Sequence, residues 1–248
     1  MVARELGLGS LDDFVKRTNE GVDATVVAFK RALKEPERLA FFALHDLVYA
    51  ARIFNWQRVL KVAEPALLPM LAGSICRSDR PLSEKVPAVE ALAAATIAGL
   101  GKSRHPQDPT VGAVLADTLE HASYARALNQ RFRTTLDRDG IIGRAAIVGA
   151  GALLAAAKNK KAVVPSLLGG AALVAATQKA QDPKLRRQGV AGRGIGHGAN
   201  MILVSEALTL IRATKNRRTL GTRVLEATAA SLAALGQMLL IDGLMRRP

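Results

Sequence analysis

Cysteine is nearly absent from this 248-residue chain, with Cys76 the single example. One thiol cannot close an intramolecular disulfide or build a Cys-based zinc site, so disulfide scaffolds and zinc fingers are excluded. Aromatic residues are scarce as well, 4% of the chain and nine in all, two of them tyrosines. With so few, and with the basic residues scattered over loops, neither a stacking platform nor a recognition helix can be picked out, and no nucleic acid partner is expected. The N-terminal stretch Met1 to Gly9 lacks an apolar run, so no cleavable signal peptide is expected. Long uncharged runs are missing too: Ala145 to Ala157, Ala162 to Gln178 and Ala227 to Ile241 reach only 13, 17 and 15 residues. Runs under 18 residues read on length alone as core helices of a soluble bundle, unless charges at their ends snorkel to an interface.

What is present is apolar and basic at once. Hydrophobic residues make up 49% of the chain, while 35 Lys and Arg outnumber 21 Asp and Glu for a formal net charge of +14. The mean hydropathy of +0.14 lies between soluble and polytopic membrane proteins. No period-2 alternation bounded by hairpin turns occurs, which predicts an all-α fold. An N-terminal segment, residues 1–38, reads as one or two amphipathic helices: Ser10 and Asp13 resemble a capping box, and Val22, Val26, Phe29 and Leu33 recur at helical spacing beside Lys30, Arg31 and Lys34, up to Pro36.

Residues 39–248 hold eight apolar segments, predicted as helices over 39–54, 60–76, 87–100, 110–128, 141–157, 162–178, 195–211 and 220–244. Turn-like or basic stretches separate them, among them 77–81, 101–106, 137–140, 158–161, 179–193 and 212–218. Small residues abound, as in 149–157 and 168–176, which lets helix backbones approach closely. Basic clusters stand between almost every pair of segments, so no orientation is readable from charge.

Few motifs carry chemistry. Thr96 to Ser103 ends in Gly-Lys-Ser, but Thr96 stands where a phosphate-binding loop needs glycine, and no strand precedes it. The Gly-rich stretch 192–198 reads as a flexible entry to a helix. His45, His105, His121 and His197 form no metal-binding pair, and no metal or cofactor is expected. Ser74, Ser103 and Ser205 lack a nucleophile elbow. Asp117 and His121 do share one helix face, with Tyr124 three residues further along it.

Three stretches, taken in order, resemble the YhhN-like lysoplasmalogenase family of eight-helix integral membrane proteins. Lys61 to Ala72 looks like that family's Lys-Pro-Leu-Leu-Met-Pro-Leu-Leu-Ala, with Glu64 in place of its lysine. His121 to Tyr124 matches its His-x-x-Tyr. Gly198 to Leu210, followed by Leu235 to Gly243 with Gln237 inside it, is similar to its closing Gly-Ala-x-x-Phe-x-x-Ser-Asp-x-x-Leu and Ala-Gln-x-Leu-Ile-x-x-Gly. The resemblance covers the chain from about residue 39 onward. It implies an eight-helix membrane-type bundle, multi-pass in the cell membrane, that hydrolyses the vinyl ether bond of lysoplasmalogens to a fatty aldehyde and a glycerophospho-base.

That resemblance implies two intramembrane carboxylates. The family's Ser-Asp becomes Ser205-Glu206 here, while its Gly-Asp falls near Gly99-Leu100, so a leucine stands in one acid's place. Glu206, His121 and Asp117 are the candidate catalytic residues, with Asp117 substituting for the missing acid, and Tyr124, Ser205 and Gln237 are the candidate pocket residues. Protonation of a vinyl ether at carbon calls for an acid, and a second carboxylate can activate water. Two other expectations remain open: a non-catalytic membrane bundle that binds a lipid or a partner, and a soluble basic helical protein that binds an acidic partner. On the membrane readings the excess charge suits anionic phospholipid head groups.

Overall fold

The computed structural model describes residues 8–105, 110–135, 138–158, 160–215 and 219–246. Among them every regular element is helical: α1 Leu8–Ala32, α2 Pro36–Phe54, α3 Gln57–Arg77, α4 Leu82–Arg104, α5 Val111–Phe132, α6 Arg138–Lys158, a 3₁₀ turn at Lys160–Ala162, α7 Val163–Ala180, the short α8 Pro183–Arg186, α9 Val190–Ala213 and α10 Leu220–Met245. Four of these, α3, α7, α9 and α10, are long and apolar enough to cross a membrane. The protein is an integral, multi-pass membrane protein, and the expectation of a soluble bundle is corrected. Run length misled because the helices continue through charged residues: α10 takes in Glu226 and Asp242, whose charges are met inside the protein by Arg212 and by Arg38 and Arg246.

Several local expectations change as well. Pro36 opens α2, where its missing N–H costs nothing, instead of closing the helix before it. Ser10 lies within α1 and not before it. The 179–193 stretch contains α8 and the start of α9, and residues 138–140 already belong to α6. Pro106, Asp137, Asn159 and residues 216–218 of the expected turns lie outside the described residues. The Gly-rich 192–198 stretch is helical, not a flexible entry, because its missing side chains let α9 meet its neighbours. A Cβ on Gly198 would lie 2.6 Å from the Gly236 carbonyl oxygen of α10, and a Cβ on Gly236 would lie 2.6 Å from that of Gly198. Gly198→Ala is therefore expected to destabilise the protein by about 1–3 kcal/mol through overpacking, read as a lowered unfolding midpoint in detergent.

α10 is the innermost helix, with residues 236–245 all buried. Around it sit Phe41, Leu71, Ile75, Leu92, Leu128 and Ile195. The outward faces carry the opposite chemistry: Leu119, Leu153, Leu167, Leu168 and Val204 are exposed, as in a protein whose surface meets lipid. α1 buries Ala24, Ala28 and Ala32 and exposes Val15, Val22, Val26 and Phe29, an apolar stripe that Leu33 continues just past the helix end and that Lys30 and Arg31 flank, as suits the head-group boundary. It is tied to the rest by the Glu20–Arg186 ion pair, 2.8 Å long, which holds the Glu20 carboxyl below the usual carboxylate range.

Asp182 fixes the junction between α7 and α8. Its carboxylate accepts from the Thr135 N–H (2.7 Å) and hydroxyl (3.1 Å) and from the Lys184 N–H (2.8 Å). Burial alone would raise this carboxyl, but those donors outweigh it and hold it below the ordinary value. With the folded value below the unfolded one, the stabilisation is present above about pH 4 and is lost as pH falls through the folded value. Asp182→Asn is expected to cost about 1–3 kcal/mol at pH 7, with the two unfolding midpoints converging toward pH 3. A gap that stays constant down to pH 3 would contradict this.

Candidate functional site

Four helices bring a charged cluster together inside the molecule. Helix α5 supplies Asp117, Glu120, His121 and Tyr124, which sit at i, i+3, i+4 and i+7 and so share one face. Helix α4 supplies Lys102, α9 supplies Ser205 and Glu206, and α10 supplies Gln237. All of these except His121 and Tyr124 line one cavity of about 170 Å³, whose remaining wall is largely apolar and includes Leu67, Ala95, Ile202 and Ala234.

The Lys102 ammonium is the hub. It donates to Asp117 Oδ1 at 2.7 Å and to Glu206 Oε1 and Oε2 at 2.8 and 2.9 Å. Among the described residues no such cation is bonded to Glu120: Gln237 Nε2 donates to Glu120 Oε1, and the Tyr124 hydroxyl donates to Gln237 Oε1. His121, 2% exposed, stands between the two arms, with Nε2 3.8 Å from Asp117 Oδ2 and Nδ1 3.8 Å from Glu120 Oε1. Its Nε2 has no hydrogen-bond partner among the described residues. Further along the cavity, Arg52 pairs with Glu64 and Arg212 with Glu226, and the Ser103 hydroxyl donates to Glu64 Oε2 at 3.3 Å. Charges withdrawn from water cost several kcal/mol each unless paired, and within a membrane protein they mark function more often than stability.

The structure brings Glu206, Asp117 and His121 into one group, with ligand atoms all within 4.8 Å of one another. Such a set could hold a divalent cation, and Lys102 already supplies positive charge between its two carboxylates. Tyr124 and Gln237 join the cluster through the hydrogen bonds above. Ser205 lines the cavity, but its hydroxyl donates to the Ala229 carbonyl at 2.7 Å and serves the packing of α9 on α10. Leu100, at the expected acid position, lines the cavity with an apolar side chain.

Sequence reasoning missed Lys102 and Glu120. Lys102 lies in the Gly-Lys-Ser stretch, which is the last turn of α4 and not a loop. Glu120 carried a usable signal, since its i+3 spacing from Asp117 places it on the face already noted. Arg52, Arg212 and Glu226 carried none, because their roles come from contacts across helices. No family model, no curated protein and no solved structure matches this chain.

Proposed function

We propose that the eight long helices from α2 to α10, α8 set aside, form a membrane-type bundle that hydrolyses the vinyl ether bond of lysoplasmalogens. The observation that carries the reading is the meeting of Glu206, Asp117 and Glu120 on one apolar-walled cavity, with His121 packed against Asp117 and Glu120 behind its wall. A lysophospholipid substrate presents a vinyl ether at the head of an apolar chain, matching a polar cluster with apolar walls.

In this reading Glu120 is the acid, because its carboxyl is buried and bonded to an amide instead of a cation. Its proton goes to the vinyl carbon remote from the ether oxygen, and the double-bond electrons form the new C–H bond. Positive charge then develops on the carbon that bears oxygen, where the Asp117 and Glu206 carboxylates stabilise it. Water adds at that carbon and gives a proton to Glu206. The resulting hemiacetal collapses: its O–H electrons form the aldehyde C=O, the C–O bond to glycerol breaks, and the glycerol oxygen takes the proton held by Glu206. The proton released by the hemiacetal O–H passes through His121, placed between Asp117 and Glu120, back to the acid.

The test uses the purified full chain in detergent micelles, offered a 1-alkenyl lysophospholipid and its 1-acyl counterpart. Aldehyde from the first with no fatty acid from the second is the expected result. Intact alkenyl lipid, or hydrolysis of the acyl ester, would overturn the reading. A second reading, lipid binding without turnover, draws on Leu100, which puts a methyl-tipped side chain where an acid is expected. It is distinguished by saturable binding of the alkenyl lipid with no aldehyde formed.

A further inference from the structure

The buried cavity has a vestibule. A second cavity of about 440 Å³ is lined by Asn55, Gln57, Lys61, Arg104 and Arg223, and it shares Arg52, Glu64, Leu100, Ser103 and Glu226 with the first. Its walls come from the end of α2, the start of α3, the end of α4 and the start of α10. It therefore sits at one end of the helices, where a membrane protein meets head groups and water.

The charges in this vestibule divide into two sets. Those shared with the inner cavity are paired, Glu64 with Arg52 and Glu226 with Arg212, which lines the inner cavity alone. Those belonging to the vestibule alone are all positive: Lys61, Arg104 and Arg223, none with a hydrogen bond or ion pair from its side chain among the described residues. Three cations without a partner among the described residues, on three different helices and facing one space that opens on an acidic, apolar-walled chamber, form a receptor for an anion attached to an apolar molecule. A phosphodiester offers oxygen acceptors that guanidinium groups match in a forked, charge-assisted geometry.

We propose that Lys61, Arg104 and Arg223 bind the phosphodiester of the ligand, while its chain and reacting bond lie inward toward Lys102 and Glu206. The phosphate of the lysophospholipid is thereby held by residues that take no part in the chemistry, a hold that a neutral alkenylglycerol lacks. This inference rests on the hydrolase reading for its catalytic consequence, but the anion site stands on the vestibule alone. Arg52 and Arg212 do not belong to the site, because their carboxylate partners already neutralise them.

Binding is measured on the full chain in micelles with three probes that cannot be hydrolysed at a vinyl ether: a 1-alkyl lysophosphocholine, the matching 1-alkylglycerol, and glycerophosphocholine. The wild type is expected to hold the alkyl lysophosphocholine about 10- to 100-fold more tightly than the alkylglycerol. The Arg104→Gln/Arg223→Gln double variant should close that gap and leave alkylglycerol binding unchanged, while Arg104→Lys/Arg223→Lys should restore much of it. Lys34→Gln/Arg77→Gln, which alters the basic cluster at the other end of the helices, should leave the gap intact. An unchanged unfolding midpoint shows that the variants are folded.

No gap in the wild type, or a gap that survives the double glutamine variant, overturns the proposal. Glycerophosphocholine that binds as tightly as the alkyl lysophosphocholine overturns the lipid source and leaves a soluble phosphodiester as the ligand. With alkenyl substrates the double variant should raise KM about 10- to 100-fold for the phosphate-bearing lipid with kcat retained. If the binding gap holds and neither a 1-alkenyl lysophosphocholine nor a 1-alkenylglycerol is turned over, the hydrolase reading fails and the phosphodiester site stands.

Discussion

Glu206→Gln is expected to lower lysoplasmalogen turnover by about 10²- to 10⁴-fold, the usual contribution of a positioned acid or base. The exchange keeps the shape of the side chain and its hydrogen bonding toward Lys102, so folding should survive. What it removes is the anion that stabilises positive charge at the ether carbon and accepts the proton of water. Because that charge develops only in the transition state, kcat should fall while KM stays within a few-fold of wild type. Asp117→Asn should act in the same direction through the second carboxylate on Lys102. Glu206→Gln with wild-type aldehyde release would remove Glu206 from the chemistry and with it the reason for the cluster.

Lys102→Met has the largest expected effect on stability. Its ammonium separates two carboxylates, 2.7 Å from Asp117 and 2.8 Å from Glu206, that would otherwise face each other without a cation. Removing one partner from a fully buried pair costs about 3–5 kcal/mol, because the remaining charge is left uncompensated. Here Lys102 and Glu206 each keep 21% of their side-chain surface open to the cavity. Solvent screening reduces the expected loss to about 2–4 kcal/mol. The check is a double-mutant cycle on the unfolding midpoint in detergent. Adding Glu206→Gln to Lys102→Met removes one stranded charge and should recover a substantial part of the loss. Additive losses would contradict the pairing.

Much of the fold was legible because apolar segments and their punctuation are local properties. The predicted helix over 220–244 corresponds to α10 at Leu220–Met245, and that over 39–54 to α2 at Pro36–Phe54. What misled was the treatment of charge as a boundary. Asp242 ends an uncharged run of 15 residues, yet the helix continues through it because Arg38 comes from a residue 204 positions away to meet it. The same limit applied to the candidate site. Asp117, His121 and Tyr124 were visible as one helix face, whereas Lys102 and Glu206 are 104 residues apart and no spacing rule joins them. Glycine misled in the opposite sense: Gly192 to Gly198 suggested flexibility, but there the missing side chains let α9 approach Leu185 of α8, Ala24 of α1, the end of α7 at Ala180 and, at Gly198, α10.

The proposed chemistry leaves a mark on its product that bears directly on the central claim. With the purified full chain and a 1-alkenyl lysophospholipid in D₂O, delivery of the proton to carbon places one deuterium at C2 of the released fatty aldehyde. The expected result is a singly deuterated aldehyde from the wild type and a loss of that product with Glu206→Gln. Intact substrate, or aldehyde released without deuterium at C2, would contradict hydrolysis by carbon protonation in this cavity.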